Sequence, residues 1–193
     1  MMIVLIGASA SGKTEIAKNL VTHFNYQKCI TTTTRAMRPL ERDGIDYHFI
    51  SKAEFIRLKQ RDAFLEVTEY NGNFYGLQKK DAVQNGVVIV DPNGANVLIQ
   101  TMKDDAFIVL VQADEHIRRE RMMARGDLVN QINRRLIIDR DIFKPEYLTK
   151  IDLILLNNGD QSIFSISQFV HEQYQRYLNH CHEQHESVIE VKC

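Results

Sequence analysis

The sequence predicts an α/β fold: a parallel sheet with helices on both of its faces. Two observations carry this. Short runs of Val, Ile and Leu alternate along the chain with segments whose apolar residues recur at helical spacing. A glycine-rich stretch, GASASGKT at residues 7–14, sits between the first such run and the first helical segment.

The elements follow in order. Residues 2–6, MIVLI, read as a buried parallel strand ended by Gly7. From Thr14 to Phe24, Ile16, Ala17, Leu20, Val21 and Phe24 mark a helix. Residues 29–50 are polar and rich in Thr and Arg, which suggests a functional segment between short strands. Ser51 opens a helix through about Gln60, with Glu54 completing a capping box. Phe64 to Tyr70 reads as a strand, and Val87 to Val90 as a second buried strand closed by Asp91-Pro92. Pro92 suits the first turn of the next helix. Phe107 to Val111 and Ile151 to Leu156 complete the buried strands. Asp114 to Arg125 is a charged helix, and a last helix spans about Gln161 to Leu178. Crossovers between these strands are expected to be right-handed. No internal repeat, Pro/Ser linker or low-complexity block interrupts the chain.

Composition excludes several classes. With 193 residues the chain can bury one sizeable core. A net charge of −1 provides no strong basic field for nucleic acid or an acidic membrane. Cys29, Cys181 and Cys193 are scattered and odd in number, so neither a disulfide framework nor a CxxC metal site is expected, and a reducing cytoplasm is. The opening MMIVLIGASA ends in a cleavage-like Ala-Ser-Ala. It lacks a basic start and has only about five strongly apolar residues, short of a signal peptide. No run reaches the roughly 20 apolar residues of a membrane-spanning helix.

GASASGKT fits G-x-x-x-x-G-K-[ST], the P-loop. Gly7 and Gly12 let the backbone turn so that the N–H groups of Ala8, Ser9, Ala10 and Ser11 can face phosphate oxygens. The helix that starts here adds its positive end. Lys13 reaches the β and γ phosphates of a nucleotide, and Thr14 places a hydroxyl on Mg²⁺. The motif does not name the reaction, since GTPases, motor ATPases and small-molecule kinases all use it.

Residues 31–50 read TTTTRAMRPLERDGIDYHFI. Arg35 and Arg38 can grip phosphate bidentately, and Tyr47 can donate its hydroxyl. On chemistry alone this segment is either a second phosphate-bearing ligand site or a generic exposed loop. The pattern T-T-T-R-x-x-R-x-x-E-x-D-G-x-D-Y-x-F resembles the nucleoside-monophosphate signature of the guanylate kinase family. Further similarities follow in order: Phe64-Leu65-Glu66 with Gly72-Asn73-Phe74-Tyr75-Gly76, Val90-Asp91-Pro92-Asn93-Gly94, Arg121 to Gly126, Ile132 to Leu136, and Leu155-Leu156-Asn157-Asn158.

The resemblance implies a P-loop nucleoside monophosphate kinase catalysing ATP + GMP → ADP + GDP with Mg²⁺. It implies a core of residues 1–31, 83–123 and 146–193, a GMP-binding lobe at about 32–82 and a mobile lid at about 124–145. Arg35, Arg38, Tyr47 and Tyr75 would grip the GMP phosphate. Thr31 would donate to guanine O6, and Glu66 would accept from N1–H and the 2-amino group. Glu41 and Asp91 complete the GMP-binding set. Lys13, Arg38, Arg125 and Arg135 would neutralise the transferring phosphoryl group. Thr14 and Asp91 would hold Mg²⁺, Asp91 through water, and Asn157 would lie near adenine. The expected partners are these small nucleotides, with no nucleic acid or membrane, in a cytoplasmic monomer or homodimer.

The chain departs from the family pattern at four places. Leu77 stands where a base-site hydroxyl is usual, so restoring it with Leu77→Ser is expected to favour GMP. Ile89 replaces a carboxylate, Asn93 a Gln, and the lid is shorter and less rich in Thr and Glu. A kinase with another phosphorylated acceptor and a non-catalytic protein-binding module are the rival readings. Arg118, Arg119 and Arg140 read as a solvated helix face, while Arg121, Arg125 and Arg135 match the motif. His180, His182 and His185 around Cys181 read as a surface tail and not a metal site. Cys29 and His48 read as packed residues.

Overall fold

The computed structural model describes residues 1–186, with side chains through Cys181. The strands are β1 (Met2–Ile6), β2 (Gln27–Lys28), β3 (Thr32–Thr33), β4 (His48–Phe49), β5 (Phe64–Tyr70), β6 (Asn73–Gln78), β7 (Gly86–Ile89), β8 (Ala106–Gln112) and β9 (Leu153–Leu156). The helices are α1 (Lys13–His23), α2 (Lys52–Gln60), α3 (Pro92–Met102), α4 (Glu115–Ala124), α5 (Val129–Ile142) and α6 (Ile163–Glu186).

The main sheet has the order β2-β7-β1-β8-β9, with every pairing parallel. All five residues of β1 are buried because helices cover both faces. Strand alternation divides them. Ile3 and Leu5 pack with Ile16 and Leu20 of α1 and with Val170 and Tyr174 of α6. Met2, Val4 and Ile6 pack with Ala95 and Leu98 of α3. Each such side chain contributes about 1.5–3 kcal/mol by leaving water. Because the strands are parallel, the segments after β1, β7, β8 and β9 all emerge at one edge of the sheet. That edge is where open α/β sheets bind ligands.

Within residues 32–78 a second, four-stranded sheet forms, in the order β4-β3-β6-β5. β5 and β6 make a hairpin whose turn, Asn71-Gly72, has φ of +50° and +74°. Both values suit a two-residue turn of the primed type. The Asn-Gly pair is the local signal of this hairpin, and β6 is a strand not assigned from the sequence. The Ser51 hydroxyl accepts from the Glu54 N–H at 3.1 Å, as its capping role predicts. The Glu54 carboxylate pairs with Arg57 instead of closing the box. Phe55 of α2 stacks on Phe64 at 4.6 Å and anchors the helix to this sheet.

Two expectations need correction. Arg118 is only 6% exposed and pairs with the buried Asp139, so it belongs to no solvated face. Arg119 and Arg140 do lie at the surface, bonded to Asn133 and Glu115. The last helix runs to Glu186, so His180 and Cys181 are helical and not a tail. The side chains of His182 and His185 lie outside the described residues. Among the described residues no group of three or more His, Cys, Asp or Glu is placed to hold a metal. No described helix is long and apolar enough to cross a membrane.

Candidate active site

The loop between β1 and α1 is shaped by two glycines. A Cβ on Gly7 (φ +151°) would stand 2.1 Å from the Val111 carbonyl oxygen of β8. One on Gly12 (φ +105°) would stand 2.1 Å from Asn157 Nδ2. Neither position admits a side chain. Gly12 caps α1 without a side-chain bond, leaving the first-turn N–H groups of the helix for an anion. Asn157 supports the loop from below. It is buried, its Nδ2 donates to the Ser11 carbonyl at 2.9 Å, and its Oδ1 accepts from Arg121 at 3.3 Å.

Lys13 folds over the loop, and its Nζ donates to the carbonyls of Gly7 (2.6 Å) and Ala8 (2.8 Å). Burial pushes its pKa down to about 8; Asp139 opposes this, and Arg118 and Arg125 add to it. A buried ammonium with positive neighbours calls for an anion. Lys13, Thr14, Ser9 and Ala10 line one cleft together with Thr31, Arg35, Arg38, Tyr47, Glu66, Tyr75, Asp91 and Arg125. The structure therefore gathers most of the sequence-derived site into one space.

Glu41 does not line that cleft. Its carboxylate takes both Arg35 guanidinium nitrogens (3.0 and 2.8 Å), the Arg38 N–H (2.8 Å) and Arg38 Nη1 (3.4 Å). It thus orients the two arginines that do line the cleft. Tyr47 lies under the Arg35 guanidinium at 5.3 Å and meets Tyr75 edge-on at 6.2 Å. Arg38 is held below the usual guanidinium range by burial and by the charges of Arg35, Arg125 and Arg135. Guanidiniums crowding one point form a receptor for phosphate.

Asp127 organises a second pair of arginines. Its Oδ2 accepts from Arg125 Nε (2.9 Å) and Nη2 (2.6 Å) and from Arg135 Nη1 (2.9 Å). Arg135 does not line the cleft itself; Asp127 ties it to Arg125, which does.

Glu66 is buried and lines the same cleft. Its Oε1 accepts from the Leu77 N–H at 2.8 Å. Its Oε2 is buried and has no hydrogen-bond partner among the described residues. Burial raises its pKa to about 8, the charge of Asp91 adds to the rise, and the Leu77 N–H opposes it. An unpaired buried acceptor at a cleft is suited to a ligand that brings donors. Gly94 leaves room for it, since a Cβ there would stand 2.8 Å from Oε2. Asp91 caps α3, with Oδ1 accepting from the Gly94 N–H at 3.0 Å.

Leu77 requires a correction. It is fully buried in the core with Val4, Ile6 and Val88, and its side chain does not line the cleft. It serves Glu66 through its backbone N–H, so no hydroxyl is missing from the cleft there. Ile89 does line the cleft. Sequence reasoning missed Thr68, Tyr70 and Phe143, which also line it, and Asp127 and Asp139. Tyr70 and Thr68 share the β5 face of Glu66 by strand alternation, a signal that was available. For Asp127 and Asp139 no local pattern marks the partner.

Comparison with known protein families matches residues 1–173 to the family described as Guanylate kinase. The guanylate kinase of Agrobacterium fabrum is 31% identical over 173 residues, covering 85% of this chain and 78% of that protein. That of Caulobacter vibrioides is 31% identical over 183 residues, covering 90% and 85%. Among solved structures, a guanylate kinase from Anaplasma phagocytophilum matches with a TM-score of 0.63 at 21% identity, covering 89% of this chain and 82% of that one. A gluconokinase from Sinorhizobium meliloti matches at 0.57 and 14%, covering 95% and 96%. At these identities the structural likeness is one of fold, while the family match spans the phosphate loop, both arginine pairs and Glu66. The chain belongs to the guanylate kinase family.

Proposed function

We propose that this protein transfers the γ-phosphoryl group of ATP to GMP, giving ADP and GDP. The observation that carries this reading is the buried, unpaired Glu66 Oε2 in the same cleft as Lys13 and the arginines. Guanine brings two donors on one edge, N1–H and the 2-amino group. Adenine brings neither on that edge and would leave the carboxylate unpaired.

Each group then has a role. The α1 N-terminus and Lys13 hold the donor phosphates, with the loop amides other than those of Ser9, which donates to Asp139, and Ser11, which donates to the Ala8 carbonyl. Arg35, Arg38, Tyr47 and Tyr75 hold the acceptor phosphate, and Thr31 and Glu66 read the base. The attacking oxygen belongs to a phosphate monoester with a second pKa of about 6, so it is ionised at neutral pH and needs no general base. The protein's work is alignment and charge neutralisation. Lys13, Arg38 and Arg125 surround the transferring group, and Arg135 supports Arg125 through Asp127. Asn157 acts by holding the loop.

Thr14 and Asp91 are hard oxygen donors in the cleft, and the Gly94 cap commits only Oδ1 of Asp91. They suit Mg²⁺, which would supply positive charge to offset that of the phosphates. In this reading residues 32–82 form the GMP lobe and 124–145 a lid on a core of 1–31, 83–123 and 146–193. The protein works in the cytoplasm, as a monomer or homodimer.

Coupled ADP release with GMP, AMP, CMP, UMP and phosphorylated sugars tests the proposal. GMP should be favoured over AMP by about 10²-fold or more. Ile89 is an apolar residue in the cleft where the family has a carboxylate, which is the observation that favours a different acceptor. Preference for another monophosphate or a sugar phosphate, or no transfer at all, overturns the GMP assignment.

A further inference from the structure

Asp139 lies on α5, outside every motif in the sequence. It is 2% exposed, and its two oxygens reach three separate parts of the fold. Oδ2 accepts from the Ser9 backbone N–H of the phosphate loop at 2.8 Å and from Arg118 of α4 at 3.0 Å. Oδ1 accepts from the Tyr70 hydroxyl of β5 at 2.6 Å. The Tyr70 hydroxyl also lies 3.3 Å from Ser9 Oγ, and its ring lines the cleft. A buried carboxylate persists where a counterion and several donors hold it, and all of these are present. Apolar support for α5 is small: Ile132 and Leu136 with Met122, and Ala10 packed against them. Its place over the loop is therefore defined largely by polar contacts.

We propose that Asp139 is a positioning residue that docks α5 at once onto the phosphate loop, through Ser9, and onto the acceptor-side sheet, through Tyr70. α5 carries Arg135, which Asp127 joins to Arg125. Docking thus brings the donor loop, the acceptor sheet and the α5-side arginines together as one unit, and it keeps water from the donor while they are assembled. This rests on the phosphoryl-transfer reading above.

The test uses the full chain with Asp139→Asn and Tyr70→Phe. Hydrogen exchange without nucleotide should speed up about tenfold or more at residues 129–142 and at Ser9 in both variants. The ratio of GMP-dependent transfer to acceptor-free ATP hydrolysis should fall by about tenfold. Because Asp139 does not line the cleft, KM for GMP should change far less than kcat in Asp139→Asn. If Asp139→Asn fails to fold, Tyr70→Phe, which removes a single oxygen, carries both measurements. Unchanged exchange at α5 overturns the proposal. So does a lowered Tm with the transfer-to-hydrolysis ratio intact, the mark of a merely structural contact. If the wild type phosphorylates no acceptor but exchange at α5 and Ser9 responds to both variants, the docking contact stands and the phosphoryl-transfer reading falls.

Discussion

If Glu66 reads guanine as proposed, GMP use should depend on pH in a defined direction. Burial, aided by the charge of Asp91, raises its pKa to about 8 from the ordinary 4.5. At pH 7 about one molecule in ten then carries the carboxylate that guanine's two donors need. With ATP saturating, so that its phosphates keep Lys13 protonated, kcat/KM for GMP should rise about tenfold between pH 7 and pH 9 and then level off. The acceptor phosphate ionises near pH 6, below this range. Glu66→Gln should flatten the rise and shrink the preference for GMP over AMP. Stability supplies an activity-free check. The folded protein holds the extra proton, so Glu66 costs nothing below its unfolded pKa. The cost grows from there to about pH 8, where it levels at roughly 5 kcal/mol. Glu66→Gln should accordingly raise Tm by about 10–20 °C at pH 8.5 and by only a few degrees at pH 5.5. Coupled ADP release across pH 6.5–9 and thermal melts at the two pH values measure both effects. A wild-type GMP profile that is flat above pH 7, or that Glu66→Gln leaves unaltered, refutes the assignment of Glu66 to the base.

Three further outcomes follow from the geometry. Lys13→Ala should fold and slow transfer by at least ~10²-fold, because charge at the transferring group goes unneutralised; near-wild-type turnover of the purified variant excludes that role. Arg38→Ala should raise KM for GMP about 10- to 100-fold, as one charge-assisted contact contributes roughly 1.5–3 kcal/mol. Calorimetry should find ATP affinity little changed, and the reverse pattern would move Arg38 to the donor side. Leu77→Ser, expected from sequence to help GMP, should instead destabilise the fold by about 3–5 kcal/mol and leave kcat/KM for GMP no higher; a melting temperature equal to wild type would remove Leu77 from the core.

The phosphate loop, Arg35, Arg38, Glu66 and the buried strands were legible because each is a local pattern. A strand-loop-helix junction fits its spacing to a phosphate, and the Asp91-Pro92 cap starts α3 as its residues dictate. Three features were hidden, for different reasons. α5 carries Asn130, Gln131, Asn133 and Arg134 around a narrow buried stripe of Ile132, Leu136 and Asp139, so its apolar signal is weak. Arg118 and Asp139 neutralise each other across two helices, and neither sequence neighbourhood reveals the other. Leu77 was assigned by motif position, which does not say which way the side chain points. A register shift between Phe64 and Glu66 sets Leu77 opposite Glu66, where the backbone N–H and not the side chain meets the carboxylate.

The bond from Asn157 to the Ser11 carbonyl spans 146 residues of chain. During synthesis at about 5–20 residues per second, the phosphate loop emerges roughly 7–30 s before the residue that braces it. β1 occupies the middle of the sheet, and its neighbour β8 and the edge strand β9 are also made later. A ribosome-bound chain stopped before β9 would thus carry the whole loop sequence without its support, and should hold nucleotide poorly. Competence for ATP should therefore arise only once Asn157 has been made, after every residue that lines the cleft.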